Sequence, residues 1–100
     1  MSVFDLEGRK ALVTGGAKGL GAGMAEALAK AGASVMIGDV LEVEGRATAE
    51  AVGSGGVKTG FVKLNVTDDA NWEEAVAATA ETLGGFDILV NNAGIEISSL

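Results

Sequence analysis

Residues 14–21, with the sequence T-G-G-A-K-G-L-G, form the segment whose residue types best suit phosphate binding. They follow a short apolar run and precede a stretch with helical spacing. Glycines let a chain turn tightly and let phosphates approach the backbone, where free N–H groups at a helix start bind the oxygens. A side chain at position 19 or 21 would occupy the space that the phosphates need. The segment predicts a pyrophosphate-binding loop, although a glycine-rich turn without a ligand would have the same composition.

Asp39 is a second residue with chemical potential, because it ends the next apolar run, 18 residues after Gly21. A carboxylate at such a strand end can accept hydrogen bonds from both hydroxyls of an adenosine ribose. The same carboxylate repels a phosphate on the 2′ oxygen. Asp39 therefore favours NAD over NADP as the cofactor, with a solvated loop aspartate as the alternative.

Four apolar runs alternate with three helical stretches, and these elements must position the two features. We expect strands at 11–14, 34–38, 60–64 and 86–90, and helices at 20–31, at 42–52 and from Thr67 or Asp68 to Leu83. The runs are continuous rather than alternating, which indicates strands covered on both faces. The order predicts an α/β fold with a doubly wound parallel sheet. The fourth strand would leave an exposed apolar edge, so we expect the single domain to continue beyond Leu100.

The helices carry two further expectations. The second helix is expected to be weak, because Gly45 lies inside it. Trp72, on the apolar stripe of the third helix, is expected to pack in the core. The acids in the first turns of that helix suit its dipole, and we do not expect them to bind a metal.

Charge and residue content exclude several functional classes. The formal net charge is −7 and the 7 basic residues are scattered, which argues against nucleic acid as a partner. Cysteine and histidine are absent, so there is no disulfide, no Cys/His metal site and no Ser–His–Asp or Cys–His nucleophile. We expect no signal peptide and no membrane span. The lack of cysteine fits a cytoplasmic protein.

Three motifs resemble those of the short-chain dehydrogenase/reductase family. The glycine spacing is G-x-x-x-G-x-G, not G-x-G-x-x-G, since Met24 stands where a third glycine would fall. T-G-x-x-x-G-x-G resembles the cofactor motif of one branch of that family. Residues 91–94 match its N-N-A-G motif, and N-V-T-D at 65–68 resembles its D-V-T-D segment. The resemblance covers about residues 6–94 and implies a Rossmann-type fold.

The resemblance also assigns residues to parts of the cofactor. Asn65, which replaces the family's aspartate, would meet the adenine edge with help from the Val66 N–H; alternatively, it satisfies the backbone of a turn. Asn91 would bridge neighbouring strands. Lys18 could hold a 2′-phosphate, as in similar enzymes that prefer NADP, but we expect it to contact pyrophosphate or solvent. The predicted cofactor contacts are Gly15, Ala17, Lys18, Gly19, Leu20, Gly21, Asp39, Val40, Asn65, Val66, Asn92, Ala93 and Gly94.

Catalytic residues are not expected within residues 1–100. Related enzymes use Ser, Tyr-x-x-x-Lys and a further Asn later in the chain, and this sequence contains no tyrosine. The resemblance implies an NAD-dependent oxidoreductase acting on a secondary alcohol or ketone, commonly as a homo-oligomer (dimer or tetramer), with the 100-residue piece alone inactive. Two alternatives stay open: a non-catalytic nucleotide-binding module, and an S-adenosylmethionine methyltransferase, which residues 91–94 and Gly16 fit poorly.

Overall fold

The computed structural model describes residues 5–93 and the backbone of residues 96–99. Five strands and three helices alternate along most of it. Their bounds are β1 Lys10–Thr14, α1 Gly19–Lys30, β2 Ser34–Asp39, α2 Glu42–Gly53, β3 Thr59–Lys63, α3 Asp69–Leu83, β4 Ile88–Asn91 and β5 Glu96–Ser99. The three helices and the first four strands lie where the sequence predicts them. Each observed end is within two residues of the predicted end.

The strands form one sheet in the order β3-β2-β1-β4-β5. β1, β2, β3 and β4 are parallel, so the doubly wound sheet is confirmed. The chain moves outward from β1 through β2 to β3, and then returns to the other side of β1 to form β4. The order therefore reverses between β1 and β4, and a crevice at the carboxyl ends of strands at such a point is where α/β proteins bind ligands.

Two apolar clusters cover the two faces of the sheet, because successive strand residues point in opposite directions. The first joins α1 and α2 to the sheet and contains Val13, Ala25, Ala33, Val35, Ile37, Ala49, Val52 and Val90. The second joins α3 to the sheet and contains Leu12, Met36 and Leu83, with Trp72 packed against it. Trp72 is half-buried there, and its Nε1 donates to the Val66 carbonyl oxygen at 2.7 Å, so the expected packing role is confirmed.

The outer edge of β4 differs from the prediction. The expected exposed edge is wrong, because β5 pairs antiparallel with β4 in the register Val90↔Ile97. Residues 96–99, E-I-S-S, contain a single apolar residue and carry little strand signal of their own. Backbone pairing with β4 supplies what the local sequence lacks.

Gly45 has a packing reason to lie inside α2. It is buried, and a Cβ built on it would overlap the Phe61 ring of β3. Arg46 follows with its guanidinium 5.3 Å from the centroid of the same ring. The glycine that weakens the helix intrinsically is thus the residue that lets α2 approach the sheet.

Candidate functional site

The loop of residues 15–18 crosses the carboxyl ends of β1 and β2. The Gly15 N–H donates to the Gly38 carbonyl oxygen at 2.8 Å. Gly15 and Gly19 have φ of +63° and +61°, a left-handed conformation that side chains disfavour. These two glycines bracket the loop and let it turn from the strand into α1.

Gly19 and Gly21 play different parts, which corrects one sequence expectation. A Cβ on Gly19 would meet no atom within 4 Å, so this position faces open space, as a phosphate-binding loop requires. A Cβ on Gly21 would instead overlap the carbonyl oxygen of Gly15. Gly21 is buried, and its lack of a side chain lets α1 pack against the loop backbone rather than leaving room for phosphates.

The first turn of α1 leaves its N–H groups without a side-chain cap. The N-cap residue, Lys18, is extended at φ −156° and ψ 175° and makes no capping hydrogen bond. No acidic residue lies in that turn. The turn therefore combines N–H groups that Lys18 does not cap with the positive end of the helix dipole, an arrangement that attracts anions.

Asp39 lies beside this loop, at the carboxyl end of β2. Its Oδ2 accepts from the Ala17 N–H at 3.0 Å, and its Oδ1 accepts from the Leu41 N–H at 3.1 Å. Ala17 is buried, with 3% of its surface exposed. The predicted contact residue Ala17 thus lies beneath the loop surface, and Asp39 fastens the loop to β2.

Side chains with large exposed surfaces surround the same edge. Leu20 is 67% exposed and Val40 is 54% exposed. Lys18 is exposed as well. The predicted contacts Lys18, Leu20 and Val40 are therefore all accessible to a ligand at the carboxyl edge.

The end of β4 is tied to the loop through polar side chains. Thr14 Oγ1 donates to Asn91 Oδ1 at 2.8 Å and accepts from the Ala93 N–H at 3.4 Å. Asn92 Nδ2 donates to the Gly15 carbonyl oxygen at 3.2 Å. The structure thus confirms that Asn91 bridges β1 and β4, and it brings Asn92 and Ala93 against the glycine loop. Gly94 lies outside the described residues.

Thr14 is a residue whose structural role the sequence analysis missed. It is fully buried, yet its hydroxyl joins two strands. Thr14 is the first residue of the motif T-G-x-x-x-G-x-G, but the sequence analysis gave it no role of its own.

Asn65 and Val66, the predicted adenine contacts, lie after β3. Asn65 Oδ1 accepts from the N–H and the hydroxyl of Thr67, at 3.0 and 2.7 Å. This is the alternative role weighed for Asn65, since its side-chain oxygen closes a turn. Val66 is half-buried, and its carbonyl oxygen accepts from Trp72.

A groove of about 690 Å³ lies between α1 and α2. Its walls consist mainly of small residues, and they share only Gly19 with the predicted contacts: Gly19, Ala22, Gly23, Glu26, Ala29, Lys30, Thr48, Ala51, Val52, Ser54 and Gly55. The groove runs along the helices, away from the crevice between β1 and β4. We place the candidate cofactor site at the crevice, because the glycine loop, Asp39 and Asn92 lie there.

Two kinds of site are absent from the described part of the chain. Residues 5–93 hold no cluster of three or more His, Cys, Asp or Glu that could bind a metal ion. Among the helices described, none is both long and apolar enough to cross a membrane.

The sheet order, the glycine loop and the acid after β2 together define an α/β domain of the Rossmann type. The family model for short chain dehydrogenases matches residues 9–100. The chain belongs to the short-chain dehydrogenase family.

Several relatives are named as dehydrogenases. The chain is 44% identical over 90 residues to 2,5-dichloro-2,5-cyclohexadiene-1,4-diol dehydrogenase of Sphingobium indicum, covering 90% of this chain and 36% of the relative. It is 50% identical over 91 residues to trans-4-hydroxycyclohexanecarboxylate dehydrogenase of Sinomonas cyclohexanicum, covering 85% and 35%. It is 47% identical over 87 residues to L-2,3-butanediol dehydrogenase of Corynebacterium glutamicum, covering 85% and 34%.

A solved structure agrees with the fold. A protein from Sinorhizobium meliloti 1021, described as a short-chain alcohol dehydrogenase, superposes with a TM-score of 0.82 at 38% identity. The match covers 88% of this chain and 35% of that one. The chain thus spans about a third of the length of the relatives it matches.

Proposed function

We propose that the complete protein carrying this chain is an NAD-dependent oxidoreductase that interconverts a secondary alcohol and a ketone by hydride transfer. Membership of the short-chain dehydrogenase family supports the oxidoreductase part. The names of the three relatives above, two diol dehydrogenases and a ring-alcohol dehydrogenase, support an alcohol as substrate. The observation that carries the choice of NAD is the position of Asp39.

Asp39 suits an unphosphorylated ribose in charge and in spare hydrogen-bonding capacity. Each of its oxygens accepts one backbone N–H, from Ala17 or Leu41. A carboxylate offers about four acceptor positions, so each oxygen can still accept one ribose hydroxyl. A 2′-phosphate in the same place would face a negative charge, and the next residue, Val40, brings no positive charge to offset it.

The start of α1 suits the pyrophosphate. Its first-turn N–H groups carry no side-chain cap, and Gly19 leaves the space in front of them open. Lys18 can add a positive charge from the surface, while Asn92 and Ala93 border the loop on the side of β4. When bound, NAD would supply a nicotinamide ring that accepts the hydride; the residues of this chain would hold and orient the dinucleotide.

We further propose that the proton-transferring residues lie beyond residue 100. Alcohol oxidation needs a base close to the hydroxyl, with a pKa matched to the working pH. Residues 1–100 contain neither tyrosine nor histidine. The family resemblance places Ser, Tyr-x-x-x-Lys and a further Asn later in the chain, so residues 1–100 alone should bind NAD weakly and turn over no substrate.

The test of the NAD proposal is a titration of the complete protein and its Asp39→Ala and Asp39→Ser variants with NAD and NADP. The unmodified protein should prefer NAD. Both variants should bind NAD at least about 10-fold more weakly, since 10-fold corresponds to the loss of a single hydrogen bond to a charged group. NADP should bind the variants better relative to NAD, because the repulsion is gone.

Asp68→Ser is the matched control for this titration. It removes one negative charge near the same edge of the sheet but keeps a side chain that can cap α3. Its NAD to NADP preference should equal that of the unmodified protein. Equal affinity of the unmodified protein for the two cofactors would remove the basis for proposing NAD.

Two further proposals follow, the first from the family resemblance and the second from the absence of cysteine. We propose that the complete protein assembles as a homo-oligomer, a dimer or a tetramer, and that it works in the cytoplasm. Light scattering during gel filtration of the purified protein would measure its mass directly, and a monomer at micromolar concentration would contradict the first proposal. Cell fractionation would test the second.

A further inference from the structure

We infer that Thr48, on α2, is a positioning residue for the glycine loop and, through that loop, for the pyrophosphate of the cofactor. The cofactor part rests on the function proposed above. Thr48 is 31 residues from the loop in sequence, and none of the three cofactor motifs includes it.

The backbone of Ala17 is held from two sides. Its N–H donates to Asp39 Oδ2 at 3.0 Å, and its carbonyl oxygen accepts from the hydroxyl of Thr48. Ala17 is 3% exposed, so its peptide groups rely mainly on protein partners for their hydrogen bonds. Buried peptide groups need hydrogen-bond partners, and here β2 supplies one and α2 the other.

The direction of the Thr48 hydroxyl is itself informative. A threonine inside a helix commonly donates to the carbonyl oxygen four residues earlier. Thr79 in α3 does so, donating to the Ala75 carbonyl oxygen at 2.7 Å. Thr48 instead reaches out of its helix to the loop. The hydrogen bond therefore joins α2 to the glycine loop rather than satisfying α2.

Ala17 is also the place where such a bond has most effect. It lies between Gly15 and Gly19, whose φ angles of +63° and +61° belong to a region that glycine samples freely. α1 begins at Gly19, two residues after Ala17, so the direction of its first-turn N–H groups follows the position of the Ala17 peptide. Holding that peptide in advance lowers the ordering cost of binding a phosphate.

The experiment compares Thr48→Val and Thr48→Ser in the complete protein. Valine keeps the shape of the side chain and removes the hydroxyl, whereas serine keeps the hydroxyl. Thr59→Val is the matched control, because Thr59 Oγ1 donates at 2.7 Å to the carbonyl oxygen of Ala49, the neighbour of Thr48 on α2, without touching the loop. Any general weakening of α2 should appear in both valine variants.

Two measurements distinguish positioning from a merely structural role. In the first, Thr48→Val should bind NAD and ADP-ribose roughly 3- to 10-fold more weakly, as expected for one lost hydrogen bond. Adenosine, which has no phosphate, should bind the variant as it binds the unmodified protein. The KM for NAD should rise with kcat unchanged, and Thr48→Ser and Thr59→Val should behave like the unmodified protein.

The second measurement needs no cofactor. Hydrogen–deuterium exchange of a peptide covering residues 14–21 should be faster in Thr48→Val than in the unmodified protein, Thr48→Ser or Thr59→Val. Unchanged exchange, or NAD affinity within 2-fold of the unmodified value, would overturn the inference (a 2-fold change is about the smallest effect of one hydrogen bond). An equal loss of adenosine binding would do the same. If the unmodified protein bound neither NAD nor NADP, the proposed function would fail, and exchange alone would then decide whether Thr48 positions the loop.

Discussion

α1 and α3 both begin just after the carboxyl end of a parallel strand, but their first turns are completed in opposite ways. At α3, the Asp68 carboxylate accepts from the Asn71 N–H at 3.2 Å, and Asp69 adds a negative charge to the first turn. The Asn71 side chain accepts from the Asn65 N–H at 2.7 Å and donates to the Lys63 carbonyl oxygen at 3.0 Å. The start of α3 is thus closed by its own side chains.

The start of α1 has none of these devices. Its N-cap is Lys18, which forms no capping hydrogen bond, and its first turn contains no acid. The loop before it is held through the backbone of Ala17, which Asp39 and Thr48 contact. Neither of these side chains caps the first turn of α1. When side chains accept hydrogen bonds from the first-turn N–H groups, as at α3, they stabilise the fold. When the first turn is held in place without such a cap, as at α1, its N–H groups can bind an anion.

Gly19→Val should produce the largest effect at α1, because its side chain would enter the open space in front of the first turn. We expect NAD binding by the complete protein to weaken by about 100-fold or more, measured by calorimetry, since the phosphates would lose several N–H contacts at once.

The control for Gly19→Val is Gly84→Val, at the C-terminus of α3. Gly84 has a φ of +83°, and a Cβ there also meets no atom within 4 Å. Both variants carry a left-handed valine, at a cost of about 1–2 kcal/mol in folding stability. Gly84→Val should keep normal NAD binding, and an equal loss in the two variants would mean that strain rather than obstruction is responsible.

Lys18→Asp should give α1 a start like that of α3. Lys18 already has the extended backbone of an N-cap residue, so an aspartate there can accept a first-turn N–H. We expect folding stability to rise by about 0.5–1 kcal/mol in urea denaturation. NAD should bind roughly 10-fold more weakly, because a carboxylate would compete with the phosphates and repel them. Stability and affinity moving in the same direction would contradict the distinction between the two helix starts.

Asp68→Ala should have the smallest effect, and only on stability. It removes the α3 cap, which costs about 1 kcal/mol by the same denaturation assay. NAD affinity should stay unchanged, since the first turn of α3 is occupied by its own side chains. A clear loss of NAD affinity in this variant would show that the α3 start takes part in binding.

The sequence predicted the sheet and three helices because continuous apolar runs and glycine-rich turns are strong local signals. It also assigned Asp39, Asn92 and the glycine loop to one cofactor, Asn92 through the family resemblance, and the structure brings both residues against that loop. β5 was missed since residues 96–99 have little strand signal without β4 as a partner.

The contributions of Gly21 and Thr48 could not be predicted either. Gly21 is needed because α1 passes close to the Gly15 carbonyl oxygen, a distance that depends on the finished backbone. Thr48 contacts the loop only because α2 packs beside it. In both cases the local sequence does not determine which residue will lie next to the position. That contact is set by how the helices and the loop pack in the folded protein.

The hydrogen bond between Thr14 and Asn91 also has a consequence for the order of folding. It joins residues 77 positions apart, at the place where β1 and β4 pair. Contacts of such long sequence separation form late, because a large loop must close first. The contacts of Asn91 with Thr14 and of Asn92 with Gly15 can therefore form only after β4 has been synthesised and has paired with β1. During synthesis on the ribosome, β1, β2 and β3 can associate earlier, but the crevice beside the loop is completed by the fourth parallel strand.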